Sequence, residues 1–569
     1  MKYANELNTL ILVSLLKEHN IKKIIVSPGT TNIAFVVSVQ NDPWFEVYSA
    51  VDERSASFMA CGLSDASCEP VVLSCTGATA SRNYLPGLTE AYYRRIPVLA
   101  ITSSQNLMKC ESYSPQFMDR TRQFDDLVKY SFQAPAITER ERTWYTTQIN
   151  KAILELTHNN NGPVHINLEF SYSGKYVDCL PRVRQICRVK LEDKLPAIPS
   201  NYKVGVFIGS HLPFSKSEES AIDNFCSYYN AIAICDQTSN FRGKYRTLSN
   251  LVNQQDKVLS SRQFDLIIHI GSVSGAYIPL TSKETWRVNE DGEVRDLFGN
   301  LTNVFQMTEE TFFKYYADNS NRESSNKLLE TVKMERASII SRIGELPFSN
   351  LWLASQIENE LPKYSVLHLA ILNSLRAWNI FETDETITCY SNTGGFGIDG
   401  CLSSFIGAAK SNPEKQFYGV FGDLSFFYDV NSLVNNIPHN IHILLVNNGV
   451  GTEFKNYTHI ASQLGDNADK YIAAKGHNGY KSNALVKHYT ESCGLKYLSA
   501  SSKEEFANVK DEWLNEGGSL LEVFTTDIDE SNALKLINSV EKDAKLELKN
   551  KIKGTFAYKV AKKVLRKGE

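Results

Sequence analysis

Short apolar runs rich in β-branched residues alternate with amphipathic helical patterns along most of this chain. This alternation predicts parallel β-sheets covered by helices, because parallel strands need long crossover connections. A chain of 569 residues, 42% of them hydrophobic, is long enough for about three domains that each bury a core. We therefore predict an α/β fold with three parallel-sheet domains. The predicted strands lie at 24–26, 71–75, 98–102, 164–168, 204–208, 232–235, 266–270, 304–307, 366–369, 386–390, 417–421, 441–446, 495–498 and 520–524.

Two polar stretches mark the predicted domain boundaries. Residues 174–202 have mixed charge and three prolines, which is typical of a linker, and the sequence becomes polar again around 318–330. The predicted organisation is an N-terminal domain over 1–173, a linker over 174–202, a central domain over 203–325, a C-terminal domain over 326–541 and a basic amphipathic tail over 542–569.

Charge and hydropathy limit the partners and the compartment. The formal net charge is −4, so nothing in the composition points to nucleic acid. We expect a soluble cytoplasmic protein, because the chain lacks a signal peptide and an apolar run of about 20 residues, and we expect its 11 cysteines to be reduced thiols. The tail over 542–569 could lie on the inner membrane surface or bind a partner, or it could be a solvated terminus. The sequence leaves both alternatives open.

The strongest chemical signal follows two predicted strands of the C-terminal domain. Gly422-Asp423-Leu424-Ser425 comes directly after one strand, and Asn448 follows the next strand, 25 residues after Asp423. Ligands bind at the carboxyl ends of parallel strands, where backbone N–H groups attract phosphate and carboxylate and amide oxygens suit Mg²⁺. Each segment alone is typical of a turn, but the two together predict a site for a metal and a diphosphate.

These motifs resemble the thiamine diphosphate motif of the family that contains acetolactate synthase, pyruvate decarboxylase and the menaquinone-pathway synthase that joins 2-oxoglutarate to isochorismate. The runs 391–400 and 422–431 are most similar to the menaquinone-pathway branch, and the resemblance covers about 5–530. It implies domains of the thiamine diphosphate-binding type, with thiamine diphosphate and Mg²⁺ as cofactors. It also implies Mg²⁺ ligation by the side chains of Asp423 and Asn448 and the carbonyl of Val450. Further cofactor contacts implied here are Ser391, Asn392, Gly397, Ile398 (the apolar wedge that bends the cofactor), Gly422, Leu424, Ser425, Gly451 and Thr452.

The N-terminal domain resembles the pyrimidine-binding half of the same family. Glu53 matches the glutamate that contacts the pyrimidine ring; such a carboxyl shifts the ring amine to an imine, which then removes the thiazolium proton. We expect Glu53 to be buried with a raised pKa, although by itself it would be typical of a charge at a helix start. Weaker matches place Gln116 against the substrate and predict cofactor contacts at Pro28, Gly29, Thr76, Gly77 and Asn83.

The predicted substrate side departs from the menaquinone-pathway branch. Where that branch has three arginines for substrate carboxylates, this chain has Thr31, Gln105 and Thr393, although Arg376 and Arg295 could still serve. The loss argues against isochorismate and favours pyruvate or another small 2-oxo acid over 2-oxoglutarate.

Two further polar residues are candidates near the predicted site. Glu453 replaces an apolar residue near the reactive carbon and could move protons; the alternative is a solvent-facing glutamate. His477 could lie in a loop over the site.

The resemblance implies a decarboxylating carboligase. A 2-oxo acid donor loses CO₂, and the acyl carbanion attacks the carbonyl of an acceptor, in surface-glycan or other secondary biosynthesis. Alternatives are a simple decarboxylase of the phosphonopyruvate or sulfopyruvate type, a menaquinone-pathway synthase acting on 2-oxoglutarate, and a cofactor-binding scaffold without catalysis. Nicotinamide or flavin oxidoreduction is disfavoured, because no strand is followed by GxGxxG and a later acidic residue. The family's sites lie between subunits, which implies a homodimer or homotetramer.

Overall fold

The computed structural model describes residues 2–110, 112–276, 279–477 and 482–542, and it has the predicted α/β fold with parallel sheets. The chain forms two compact units, Met1–Ala197 with Glu284–Met307, and Ile198–Lys283 with Thr308–Glu569. The three-domain division stays a prediction. Of the predicted tail, residues 543–569 lie outside the described residues. Within the part that is described, each helix is too short or too polar to cross a bilayer.

The first unit is built on a six-stranded sheet whose neighbouring strands all run parallel. The strands between the N-terminus and residue 189, six of which form this sheet, are β1 (Tyr3–Ala4), β2 (Lys23–Val26), β3 (Glu46–Ser49), β4 (Val71–Cys75), β5 (Val98–Ser104), β6 (Ser131–Ala134), β7 (Val164–Glu169), β8 (Tyr176–Val177) and β9 (Cys187–Val189). Its helices are α1 (Leu7–Glu18), α2 (Ile33–Gln40), α3 (Glu53–Ser67), α4 (Thr79–Asn83), α5 (Leu85–Arg94) and α6 (Arg142–Glu155). The sheet order is β3-β2-β4-β5-β7-β6.

Both faces of this sheet are covered, which explains its nearly continuous apolar strands. Side chains alternate along each strand, so Ile24 and Val72 join one core with α1 and α6, whereas Ile25 and Leu73 join a second core with α3 and α5. Two strands had no apolar run to predict them. Every residue of β3 is exposed, and β6 is half polar.

The second unit repeats this architecture with its own six-stranded parallel sheet. The remaining strands are β10 (Val204–Ile208), β11 (Ile232–Cys235), β12 (Arg246–Leu248), β13 (Gln263–Ile270), β14 (Thr281–Val288), β15 (Leu301–Phe305), β16 (Val366–Leu369), β17 (Thr388–Tyr390), β18 (Phe417–Gly422), β19 (Ile441–Asn447), β20 (Lys496–Ala500) and β21 (Ser519–Phe524). The remaining helices are α7 (Lys216–Tyr229), α8 (Asn250–Asn253), α9 (Glu309–Asp318), α10 (Lys327–Ile340), α11 (Asn350–Ile357), α12 (Asn373–Trp378), α13 (Cys401–Ser411), α14 (Asp423–Tyr428), α15 (Asn483–Ser492), α16 (Lys503–Asn515) and α17 (Asp527–Asn538). The sheet order is β17-β16-β18-β19-β21-β20.

The strands of the chain segment that connects the two six-stranded sheets, β9 to β15, also form parallel pairs. In the second unit, β12, β11, β10 and β13 are neighbours in that order. The chain then crosses into the first unit within β14, and β15 pairs with β14 and β9. The predicted linker over 174–202 is therefore not wholly irregular, because it supplies β8 and β9.

The second sheet is anchored by a fully buried tryptophan on α16. Trp513 Nε1 donates to the Ile443 carbonyl on β19 at 3.0 Å, and the Trp513 ring lies edge-on against Tyr418 on β18. The Trp513 carbonyl is 2.7 Å from His442 Nδ1. One side chain therefore ties α16 to the two central strands.

We predict that Trp513→Ala lowers the free energy of unfolding by about 3–5 kcal/mol, because it empties a large buried volume and removes a buried hydrogen bond to a strand carbonyl. Urea unfolding measures the change. The matched control, Leu536→Ala on α17, removes a side chain that is 42% exposed and should cost about 0.5 kcal/mol or less. Equal losses in the two variants would contradict the anchoring role.

Candidate active site

The predicted metal ligands and most of the predicted cofactor contacts of the second unit line one cavity at the carboxyl ends of β18 and β19, whereas Ser391, Asn392 and Gly397 are not among its lining residues. The cavity has a volume of about 180 Å³. Asp423 is the first residue of α14, directly after β18, while Asn448 follows β19. The cavity is lined by Asn350, Ile371, Leu372, Asn373, Ser374, Ile398, Gly422, Asp423, Leu424, Ser425, Val446, Asn448, Val450, Gly451, Thr452, Glu453, Phe454 and Glu530.

Asp423 is held in one orientation by the loop that follows β19. Its Oδ2 accepts a hydrogen bond from the Gly449 N–H at 2.6 Å, and its Oδ1 accepts from the Leu424 N–H at 2.8 Å. Gly449 has φ +70°, a conformation that favours glycine. Asn448 Oδ1 accepts from the Val450 N–H at 3.4 Å. The three predicted metal ligands are thus neighbours, and their carboxylate, amide and carbonyl oxygens form a donor set that suits Mg²⁺.

His477 reaches the same carboxylate. Its Nε2 is 3.0 Å from Asp423 Oδ2, and its ring lies against Phe427 with the centroids 5.4 Å apart. The sequence predicted only a loop residue over the site. The structure places the imidazole in direct contact with the carboxylate of the candidate metal ligand.

The glycine loop after β17 contributes a second wall. The Ile398 carbonyl accepts from Ser425 Oγ at 3.0 Å, which ties this loop to the start of α14. Asn392 Nδ2 donates to the Gly400 carbonyl at 3.2 Å and to Ser404 Oγ at 3.1 Å. Ser391 Oγ is buried and has no hydrogen-bond partner among the residues that the structure describes. An orphaned hydroxyl at this loop fits a phosphate oxygen as its missing partner.

Glu453 is ion-paired, so the interpretation as a solvent-facing loop residue does not hold. Both of its carboxylate oxygens lie 2.6 Å from Nη1 of Arg376 on α12. With its amide oriented to satisfy both neighbours, Asn373 donates to Glu453 Oε2 at 3.0 Å and accepts from Thr452 Oγ1 at 2.6 Å. The other candidate substrate arginine, Arg295, is exposed and forms two bonds to Asp291.

Two buried carboxyls near the cavity escaped the sequence analysis. Glu530 lines the cavity, where it accepts from the Asn350 N–H at 3.0 Å and from Thr525 Oγ1 at 2.8 Å. Burial raises the pKa of Glu530 to about 7. Glu522 on β21 is fully buried, bonds to Asn447 and Tyr497, and has a pKa raised by burial. Glu530 lies in an acidic segment that resembles a solvated helix start, so no sequence signal distinguished it.

In the first unit, two of the predicted loops come together. A Cβ added to Gly29 would lie 2.6 Å from Thr76 Cβ, so the loop after β2 touches the loop after β4. The hydroxyls of Thr31 and Thr76 are hydrogen-bonded. Asn83 ends α4 and donates to the Thr79 carbonyl, and Pro28 is exposed.

Glu53 opens α3 and is half-buried rather than fully buried. The helix begins there because the Asp52 side chain accepts from the Arg54 N–H at 3.0 Å. Burial, and then the nearby charge of Glu53, raise the pKa of the Cys75 thiol to about 12. Gln116 is exposed and has φ +71°. Among the described residues, no hydrogen bond joins Gln116 to the loops around Gly29 and Thr76.

Arg120 is a buried cation beneath these loops that the sequence did not single out. It is 3% exposed, and its Nη2 donates to the Ser103 carbonyl at 2.9 Å. A Cβ on Gly77 would lie 2.0 Å from Arg120 Nη1, so only glycine fits above the guanidinium. Burial, and then the charge of Arg120, lower the pKa of His165 to about 3, which leaves that histidine neutral.

Comparisons with known proteins match both units. The N-terminal TPP binding domain of thiamine pyrophosphate enzymes matches residues 9–124, and the C-terminal TPP binding domain of the same enzymes matches residues 373–523. The chain is 30% identical to a 2-succinyl-5-enolpyruvyl-6-hydroxy-3-cyclohexene-1-carboxylate synthase of Bacteroides thetaiotaomicron, over 89% of this chain and 92% of that protein. Synthases of the same name from Bacteroides fragilis and Lysinibacillus sphaericus are 29% and 25% identical, over 88% and 78% of this chain and 92% and 83% of theirs.

We predict that Glu530→Gln flattens the pH dependence of stability between about pH 4 and pH 7. The folded protein holds the Glu530 proton up to pH about 7, whereas an unfolded glutamate releases it near pH 4.3. This contribution to stability is therefore full below pH 4.3 and is lost as the pH rises through 7. Urea unfolding at several pH values measures the effect, with the exposed Glu414→Gln as control. Parallel curves for wild type and Glu530→Gln would contradict the prediction.

Proposed function

The chain belongs to the thiamine pyrophosphate enzyme family, and from this membership we propose that it decarboxylates a small, pyruvate-like 2-oxo acid with thiamine diphosphate and Mg²⁺. The acyl unit that remains is transferred to the carbonyl of an acceptor. When bound, thiamine diphosphate supplies a nucleophilic carbon and an electron sink for the bond beside the substrate carbonyl.

The residues of the second unit fit the diphosphate end of this cofactor. Asp423, Asn448 and the Val450 carbonyl would hold Mg²⁺, since they are neighbours and offer hard oxygen ligands. The orphaned Ser391 hydroxyl would donate to a phosphate oxygen. Ile398 on the cavity wall supplies the apolar surface on which the cofactor would bend.

The observation that carries the choice of donor is the ion pair between Arg376 and Glu453. A dicarboxylic donor such as 2-oxoglutarate needs a cation for its second carboxylate. Arg376 is already paired with Glu453, and Arg295 with Asp291. We therefore propose a monocarboxylic donor.

Glu53 is the proposed partner of the pyrimidine ring, where its carboxyl would favour the imino form of the ring amine that activates the cofactor. Gln116 is proposed to face the substrate. We further propose a homodimer or homotetramer with shared sites, which is supported by exposed apolar side chains on two neighbouring helices of the first unit. Phe58 and Met59 on α3 and Tyr92 and Tyr93 on α5 are each at least 45% exposed.

Two alternatives remain within the same chemistry. The names of the relatives favour a menaquinone-pathway synthase acting on 2-oxoglutarate, whereas the paired state of Arg376 and Arg295 disfavours it. Simple decarboxylation without an acceptor differs only in the last step. The cytoplasmic location, a membrane contact through the tail and a role in surface-glycan synthesis stay proposals.

The test is calorimetric titration of thiamine diphosphate with Mg²⁺, followed by CO₂ release from a panel of 2-oxo acids. Wild type and Glu53→Gln should bind the cofactor, and only wild type should turn over. Asp423→Asn should bind at least about tenfold more weakly, because it removes a charged metal ligand. Glu414→Gln, an exposed carboxylate, serves as control and should match wild type.

The outcomes separate the alternatives. Products that appear only with an added aldehyde acceptor support carboligation. CO₂ release that is equal with and without the acceptor, together with a simple aldehyde product, supports plain decarboxylation. Preferred turnover of 2-oxoglutarate would favour the menaquinone-pathway alternative. Absence of cofactor binding in wild type would contradict the proposal.

A further inference from the structure

Glu453 lies in the wall of the cavity that holds the candidate metal ligands, and its ion-pair partner Arg376 lies directly behind it on α12. Arg376 Nη1 touches both carboxylate oxygens of Glu453 at 2.6 Å, and Glu453 itself lines the cavity beside Val450 and Thr452. The side chains are 31% and 20% exposed, so neither is sealed in a core. Asn373 adds a hydrogen bond to Glu453 Oε2 at 3.0 Å.

This pair places a carboxylate of the chain where a cation could otherwise hold a carboxylate of a ligand. A guanidinium binds carboxylates through charge-assisted hydrogen bonds, which are stronger than hydrogen bonds between neutral groups. Glu453 already occupies Nη1 of Arg376 in this way, whereas Nε of Arg376 is buried without a hydrogen-bond partner among the described residues. A carboxylate of a substrate would find Nη1 of Arg376 already bonded to Glu453, and it would also be repelled by the Glu453 charge.

We propose that Glu453 determines donor specificity, acting as a built-in carboxylate that occupies Arg376 and thereby excludes dicarboxylic 2-oxo acids. This inference rests on the proposed function and names the substrate class that the site rejects. Arg376 is a latent carboxylate site, which becomes available when Glu453 is replaced.

The first experiment measures binding without turnover. Glutarate and butyrate, which differ by one terminal carboxylate, are titrated calorimetrically into the protein loaded with thiamine diphosphate and Mg²⁺. Glu453→Gln and Glu453→Ala should each bind glutarate at least about tenfold more tightly than wild type, with butyrate affinity changed less than threefold. The glutamine tests the charge, and the alanine also removes the competing oxygen.

A double variant identifies the cation. Arg376→Met combined with Glu453→Gln should return glutarate affinity to the wild-type level, because the gain depends on the freed guanidinium. Glu360→Gln is the matched control. It removes a carboxylate from a surface ion pair with Lys510 in the same unit and should leave the affinity for both acids unchanged.

Turnover gives a second, independent readout. The ratio of kcat/KM for 2-oxoglutarate to that for pyruvate should rise at least about tenfold in Glu453→Gln, whatever the overall rate, because a ratio cancels any general loss of activity. Unchanged glutarate binding and an unchanged ratio in both Glu453 variants would overturn the inference. Failure of the wild type to bind thiamine diphosphate would instead overturn the proposed function.

Discussion

The parallel pairing of β18 with β19 is the constraint on which the candidate site depends. Their register sets Gly422 opposite Val446, so both strands end at the same edge, and the turns that follow them come together. The hydrogen bond from the Gly449 N–H to Asp423 Oδ2 then joins the two turns directly. Trp513 ties α16 to these same strands from the side, so the core and the site share one support.

This pairing also explains how much of the site the sequence could predict. Asp423, Asn448 and Val450 each lie within a few residues of an apolar run, so the strand pattern alone places them at one edge. The strands with continuous apolar runs were predicted in the same way, whereas β12 and β14, which lack such a run, were not. The exposed β3 and the half-polar β6 were not, since their place in the sheet comes from tertiary pairing rather than from a local pattern.

The contacts that the sequence could not predict share a physical reason. The side chain of Arg376 meets that of Glu453, Glu530 accepts from the Asn350 N–H, and Arg120 donates to the Ser103 carbonyl, and each of these contacts joins residues at least 17 positions apart. Their burial and charge state are set by those neighbours, and no local spacing encodes them. Glu453 was singled out for its position, but its partner and therefore its electrostatic role became visible only in the fold.

The ion pair has a consequence for how such a chain can change over generations. Arg376 and Glu453 are 77 positions apart and lie on separate elements, so a single codon change cannot exchange or remove both. Loss of either one alone leaves an uncompensated charge on a half-buried wall. Any lineage that gained or discarded this pair one residue at a time passed through an intermediate carrying that uncompensated charge. The two positions are therefore expected to vary together among descendants of this sequence.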